Sequence, residues 1–182
     1  LRSRGLGDVY KRQDKCNILF VGGYYYPNVN GFRWFIKNVT PLIKINYEVT
    51  LVGNRMDLLK EEFSNNSNVK VLGRVEDLSP YYEDADVVVG PIFEGAGMKV
   101  KTAEALSYGK IFIGTDESLI GYKELAGNLL GKSIVVCNNE EEFAKAINNL
   151  DFGNGFCPEN YDFFLRNYSI EAATCKLKTL LE

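Results

Sequence analysis

Positions 85–115 of the chain read ADVVVGPIFEGAGMKVKTAEALSYGKIFIGT. The stretch opens on an apolar, valine-rich run, which predicts a buried strand closed by Gly90 and Pro91. A loop with two glycines then leads into a predicted helix at about 99–108, and residues 111–113 form the next apolar run. A strand, a helix and a second strand in this order predict a βαβ unit with parallel strands.

The same alternation of strands and helices extends outward on both sides of this unit. The predicted strands cover residues 17–21, 47–52, 69–72, 85–89, 111–113 and 133–136. The predicted helices cover residues 31–45, 56–63, 78–83, 99–108, 140–150 and 170–181. The pattern indicates an α/β fold, a Rossmann-like parallel sheet with helices on both faces. In such sheets ligands bind outside the carboxyl ends of the strands, so we expect the site in the loops that follow the strands.

The loop after the fourth predicted strand carries the strongest chemical signal. Gly95 and Gly97 allow a tight turn with exposed backbone N–H groups, and a helix N-terminus follows at once, which together favour anion binding. Lys99 and Lys101 place positive charge in the first turn, where the helix dipole disfavours it, and this predicts a compensating anion. Glu104 follows Lys101 by three residues and shares its face, where a carboxylate can accept both hydroxyls of a ribose. The alternative is an ordinary helix with a surface Lys–Glu pair.

Composition excludes several function classes. The 182 residues include no histidine, which removes Ser-His-Asp and Cys-His catalysis and histidine metal sites. The four cysteines are widely spaced, without a C-x-x-C motif, so we expect small buried thiols in a reduced, cytoplasmic protein. The net charge of −3 argues against binding to nucleic acid or to an anionic membrane. No stretch approaches the roughly 18 apolar residues of a transmembrane helix.

The first thirteen residues, LRSRGLGDVYKRQ, differ from the rest of the chain in composition. From Ser3 to Gln13 they resemble the in-frame translation of a common transposase sequencing adapter. We therefore expect residues 1–13 to be an assembly artefact and the natural domain to span residues 14–182. The alternative is a basic N-terminal arm.

The glycine loop and helix resemble the nucleotide-sugar binding motif of family 4 glycosyltransferases and their relatives with the GT-B fold. That group carries a P-x-x-x-G-A-G-x-K-x-K-x-x-E-A-x-x-x-G pattern. The opening FVGGYYYPNVNGFRWF at 20–35, the middle segment at 69–92 and the tail at 131–150 are also similar to the family. The chain matches the pattern at Pro91, Gly95, Ala96, Gly97, Lys99, Lys101, Glu104, Ala105 and Gly109.

The resemblance implies one half of a GT-B architecture, in which two Rossmann-like domains face each other across a cleft. This chain would be the C-terminal domain that binds the nucleotide-sugar donor, and the N-terminal acceptor-binding domain would be missing. The implied activity is that of a hexosyltransferase acting with retention in polysaccharide biosynthesis, with the fragment inactive alone. The donor would be a UDP-, GDP- or ADP-sugar, with no cofactor and no metal. Peripheral membrane association would occur through the missing domain.

The resemblance also assigns roles to individual residues. Glu104 would hold the ribose hydroxyls, and Lys101 would contact the diphosphate and stabilise the charge of the leaving group. The remaining donor-binding residues would be Gly22, Gly23, Gly73, Arg74, Val75, Gly95, Ala96 and Gly97. One departure concerns the sugar, because many members carry a further glutamate where this chain has Ala96. Glu94, two residues earlier, either faces the sugar or is an ordinary loop acid.

A second function class stays open, a nucleotide- or phosphate-binding α/β module without transferase chemistry. A receiver-type regulatory domain would place acids after the first strand, where this chain has Gly22, Gly23 and Tyr24. A GT-B epimerase would offer histidines. Three consecutive tyrosines from Tyr24 to Tyr26 either form a stacking platform or pack against the missing domain. In the last helix we expect an apolar stripe to stay partly exposed, because in GT-B proteins this helix crosses to the other domain. The stripe comprises Ile170, Ala173, Leu177 and Leu180.

Overall fold

A computed structural model describes residues 15–152 and 155–181 of the chain. The described part contains six strands, β1 (Cys16–Val21), β2 (Tyr47–Val52), β3 (Val69–Val71), β4 (Val87–Gly90), β5 (Ile111–Gly114) and β6 (Ile134–Val136). They form one sheet with the order β3-β2-β1-β4-β5-β6, and every neighbouring pair is parallel. The Rossmann-like parallel sheet predicted from the sequence is confirmed. The prediction for residues 1–13 lies outside the described residues.

The order of the strands reverses between β1 and β4. The chain builds β1, β2 and β3 in one direction and then returns to place β4 on the other side of β1. The register aligns the ends of neighbouring strands, with Val21 opposite Val52 and Gly90 opposite Gly114. The loops after all six strands therefore meet at one edge of the sheet, with a crevice between β1 and β4 where ligands of this fold bind.

Helices cover both faces of the sheet, as alternation along β1 requires. The helices are α1 (Tyr26–Trp34), α2 (Ser79–Asp84), α3 (Val100–Ser107), α4 (Glu140–Asn148), α5 (Pro158–Asn167) and α6 (Ile170–Leu181). Ile18 and Phe20 face a core shared with α1 and α4, whereas Leu19 and Val21 face a second core shared with α2, α3 and α5. Two short helical turns, Phe35–Val39 and Thr40–Leu42, extend α1.

Two predicted helices differ from the structure, and a third helix was not predicted. The helix predicted from residue 31 begins at Tyr26, because Pro27 in its first turn supplies the backbone angle that a helix start needs. The helix predicted for 56–63 shrinks to a single tight turn, Met56–Leu59, without a side-chain cap among the described residues. Helix α5 was not predicted, although Pro158 at its start and Glu159 in its first turn are typical of a helix N-terminus.

Two predictions about burial have mixed outcomes. Cys16 and Cys137 are buried, and burial raises the pKa of each thiol to about 12, whereas Cys175 is exposed and the expectation of a buried thiol there was wrong. In α6, Ile170 is 82% and Leu177 61% exposed and Ala173 is exposed, as predicted for an uncovered stripe, whereas the side chain of Leu180 lies outside those that the structure describes. None of the described helices is long and apolar enough to span a membrane.

The start of α4 provides a test of the fold. Asn139 caps the helix through its side-chain oxygen, which accepts from the Glu142 backbone N–H at 2.9 Å, while the Glu142 carboxylate accepts from the Asn138 N–H at 2.7 Å. We expect Asn139→Ala to lower the free energy of unfolding by about 1 kcal/mol, since one N–H of the first turn loses its partner. Urea denaturation measures this. Asn149→Ala at the other end of the helix is the control, and equal losses in both variants would contradict the capping role.

Candidate functional site

The loop between β4 and α3 takes the conformation that its glycines permit. Gly95 has a φ of +143° and Gly97 a φ of +67°, values that residues with a Cβ rarely adopt. Helix α3 starts directly afterwards, and its N-cap residue, Lys99, makes no side-chain cap to the first turn. The loop lies at the carboxyl edge of the sheet, where an uncapped helix N-terminus can accept an anion.

Lys101 projects from the first turn of α3 towards the loop after β1. Its ammonium donates to Asn28 Oδ1 and lies 5.0 Å from the centre of the Phe20 ring. Among the described residues no carboxylate forms an ion pair with it. Burial and the nearby charge of Lys99 lower the pKa of Lys101 to about 8. A half-buried cation without a counter-ion strongly favours the binding of an anionic ligand.

Gly22 leaves the room that this lysine needs. A Cβ at position 22 would lie 2.9 Å from Asn28 Nδ2 and 3.1 Å from the Lys101 ammonium. Any other residue would therefore push the two side chains out of their present positions. The close approach explains physically why a glycine follows β1 here.

The structure assigns Lys99 a different task from the one expected. Its ammonium pairs with Glu117 at 2.7 Å and donates to the Gly97 carbonyl at 2.7 Å. The Tyr122 hydroxyl donates to the Lys99 carbonyl at 2.9 Å. Lys99 therefore already has a counter-ion and holds the glycine loop in place, so the expectation that its charge awaits an anion was wrong. Sequence reasoning missed Glu117 and Tyr122, which come from a separate loop.

Glu104 lies on the same face of α3 as Lys101, one turn further along. Its carboxylate accepts from the Tyr82 hydroxyl at 3.2 Å, which fixes it from the neighbouring α2. Tyr82 is fully buried and stacks on Tyr108 with ring centres 4.6 Å apart. Burial is the largest cause that raises the pKa of Tyr82, and the charge of Glu104 is the second. The hydroxyl therefore keeps its proton and remains a donor. Among the described residues, the second oxygen of the Glu104 carboxylate has no hydrogen-bond donor, so it can accept from a ligand.

A cavity of about 250 Å³ opens between the loops after β1, β2 and β3, and neither Lys101 nor Glu104 is among its lining residues. Four of the predicted donor-binding residues line it together: Gly22, Gly23, Arg74 and Val75. Gly73 does not line it and instead packs against Asp57. Gly53 and Asn54 line it as well and were not among the predicted site residues. Their signal was the glycine that directly follows β2.

Glu94 lines a separate groove on the other side of α1. The groove has a volume of about 180 Å³ and includes Tyr26, Asn30, Trp34 and Phe93. The rings of Trp34 and Phe93 meet edge to face with centres 4.6 Å apart. Tyr24, Tyr25 and Tyr26 are 44–67% exposed, and of these three Tyr26 lines the groove.

Two other features lie away from the loops after the strands. A larger cavity of about 430 Å³ opens at the amino-terminal half of β1, next to α2, and contains none of the predicted site residues. Asp84 and Asp86 form a D-x-D spacing, but they precede β4 and so lie at the opposite edge of the sheet. Asp86 accepts from the Asn17 backbone N–H at 2.8 Å.

The strand order is that of a Rossmann-like domain, and the glycine loop with its lysine and glutamate resembles the donor-binding motif of GT-B glycosyltransferases. The family model Glycosyl transferases group 1 matches residues 15–150, and the chain belongs to this family. It is 32% identical over 146 residues to an uncharacterised 44.6 kDa protein in the cps region of Klebsiella pneumoniae, an alignment that covers 74% of this chain and 37% of that protein.

Solved structures show the same fold. A glycosyltransferase from Rickettsia africae superposes with a TM-score of 0.73 at 17% identity, covering 92% of this chain and 47% of the other. HepE from Anabaena, in complex with UDP and glucose, superposes with a TM-score of 0.70 at 15% identity, covering 92% and 48%. The chain therefore spans less than half the length of these proteins.

Proposed function

We propose that the chain is the donor-binding half of a glycosyltransferase that moves a sugar from a nucleoside diphosphate to an acceptor, with retention. The observation that carries the proposal is the half-buried ammonium of Lys101, which lacks a carboxylate partner among the described residues and lies at the crevice between β1 and β4. A diphosphate supplies the missing negative charge. Its placement at an uncapped helix N-terminus adds a second favourable interaction.

The geometry supports a specific orientation of the donor. The base occupies the cavity beside Gly23 and Val75, the ribose hydroxyls meet Glu104, and the diphosphate meets Lys101 and the loop from Gly95 through Ala96 to Gly97. As the glycosidic bond breaks, negative charge grows on the diphosphate, and the fixed ammonium stabilises it more than it stabilises the intact donor. Asp84 and Asp86 lie at the opposite edge of the sheet and so cannot hold a metal at the diphosphate. We therefore propose that the negative charge on the diphosphate is stabilised without a metal.

Other features fit the sugar and the acceptor. The groove at Glu94 and Trp34 has the aromatic and carboxylate lining that suits a hexose, and we propose that the donor sugar points towards it. The structure of HepE with UDP and glucose favours a UDP-sugar. We propose that a second, acceptor-binding domain completes a cytoplasmic enzyme of polysaccharide synthesis and provides any membrane contact. The fragment alone is then inactive.

The proposal is tested by titrating the wild-type chain and the Glu104→Gln variant with UDP, GDP, ADP and pyrophosphate. Glutamine keeps an oxygen for Tyr82 but loses the charge that the ribose hydroxyls donate to. We expect about tenfold weaker binding of the preferred nucleoside diphosphate, equivalent to the lower end of a charged hydrogen bond, and unchanged binding of pyrophosphate. Isothermal calorimetry measures both.

Glu171→Gln, an exposed position on α6, is the matched control and should bind like the wild type. Equal weakening of both ligands in Glu104→Gln would contradict the ribose role. Failure of the wild-type chain to bind any of the four ligands would contradict the proposed function.

A further inference from the structure

Asn28, in the first turn of α1, links the two sides of the crevice. Its Nδ2 donates to the Gly23 carbonyl at 2.8 Å, and its Oδ1 accepts from the Lys101 ammonium. The amide has only one orientation that satisfies both partners, because a flipped amide would place its NH₂ against an ammonium and its oxygen against a carbonyl. The backbone of the loop after β1 therefore fixes the oxygen that Lys101 meets.

Resting on the proposed function, we propose that Asn28 is a positioning residue, which holds the Lys101 ammonium in the diphosphate site without neutralising it. An amide oxygen is a good acceptor but carries no net charge, so the cation stays free to attract phosphate. A carboxylate at the same place would form an ion pair with Lys101 and would repel the ligand. The two residues are 73 positions apart in the sequence, so the contact is a product of the fold.

The surroundings of Lys101 explain why a neutral acceptor matters. From β1 it meets the Phe20 ring, and from α1 the Asn28 amide. On its own segment, Lys99 is paired with Glu117, and Glu104 is held by Tyr82. Lys99 thus has a counter-ion, whereas Glu104 meets only a neutral hydroxyl and keeps its charge. Among the described residues, the amide oxygen and the aromatic ring are the groups that contact the half-buried ammonium.

This arrangement gives donor binding a defined pH dependence. Burial lowers the pKa of Lys101 to about 8, and a bound diphosphate raises it again. Below pH 8 the lysine is already charged in the free protein, so the affinity is flat. Above pH 8 binding must take up a proton, and the affinity falls by up to about tenfold per pH unit. A terminal phosphate titrates near pH 6, so its own ionisation does not disturb a measurement above about pH 7.

Calorimetric titration between pH 7 and 9.5 tests the role of Asn28, using whichever of UDP, GDP and ADP the wild-type chain binds most tightly. Asn28→Asp should bind about tenfold more weakly at pH 7, and its loss of affinity should begin at least about one pH unit higher, because a carboxylate raises the pKa of Lys101. Asn28→Ala should bind more weakly at every pH, with the loss beginning at a lower pH. Asn148→Asp is the matched control, since this half-buried amide also bridges two backbone groups, at Leu42 and Lys44, and gains the same charge.

The outcomes separate this inference from the proposed function. If the wild-type chain binds none of the three nucleotides, or if Lys101→Met binds them equally well, the proposed function fails. If binding depends on Lys101 but the pH profile of Asn28→Asp superimposes on that of the wild type, the positioning role is overturned. Should Asn28→Asp not fold by circular dichroism, Asn28→Ala decides in its place, and an unshifted profile there overturns the inference.

Discussion

Lys101→Met is expected to weaken binding of a nucleoside diphosphate roughly ten- to hundredfold. The change removes a charge-assisted contact worth about 1.5–3 kcal/mol, while the unbranched methionine chain still packs over Phe20. In the complete enzyme the loss in kcat/KM should be larger, because the charge on the diphosphate grows in the transition state. Calorimetry with pyrophosphate should show the same loss as with the nucleotide, since both lose the same contact.

The same variant should not be less stable than the wild type. The pKa of Lys101 is about 8 in the folded chain, below its ordinary value of 10.5. Between these values the unfolded chain binds more protons, so the stability of the wild type rises with pH across this window. At pH 7 the buried charge destabilises the fold, and methionine removes it. We expect an equal or higher Tm at pH 7.

Lys145→Met, at an exposed position on α4, is the control for loss of a positive charge and should leave binding unchanged. If Lys101→Met lowered the Tm in parallel with the affinity, the lysine would be a structural residue. If its affinity equalled that of the wild type, Lys101 would have no part in the site.

The sheet was predictable because each strand is short, apolar and ended by glycine or polar residues. The helices were less predictable from the sequence where local signals conflict. Tyr24 and Tyr25 precede α1 without a side-chain cap, and only Pro27 marks its start. The turn at Met56 fails to continue as a helix although its apolar spacing suits one. The spacing of apolar residues indicates which side chains can be buried. It does not show whether the backbone hydrogen bonds of a helix form.

The candidate site, too, was only partly predictable from the sequence. Loops after parallel strands converge, so the cavity at Gly22, Gly23, Arg74 and Val75 follows from the topology. Pairings between distant side chains do not follow, because a sequence pattern carries no information on which side chains meet. For this reason the counter-ion of Lys99 and the partner of Lys101 were found only in the structure.

Gly31→Ala is expected to destabilise the fold, although the same change in an ordinary helix stabilises it by about 1 kcal/mol. Gly31 lies within α1, where the helix crosses the chain just after β4, and an added Cβ would overlap the Pro91 carbonyl oxygen. A carbonyl in a strand-end loop cannot rotate away as a side chain would, so α1 must move. Overpacking of this kind costs about 1–3 kcal/mol or more, which exceeds the gain in helix propensity.

The displacement should reach the donor site as well. Asn28 lies one turn before Gly31 on the same helix, so a shift of α1 also moves the amide that holds Lys101. We expect a lower free energy of unfolding in urea together with weaker nucleoside diphosphate binding. Asn30→Ala is the matched control, because this neighbouring side chain is exposed and its replacement should leave stability equal or slightly higher. If Gly31→Ala were instead as stable as Asn30→Ala, α1 would not pack as closely on the loop after β4 as the structure has it, and the link from this contact to Lys101 would fail with it.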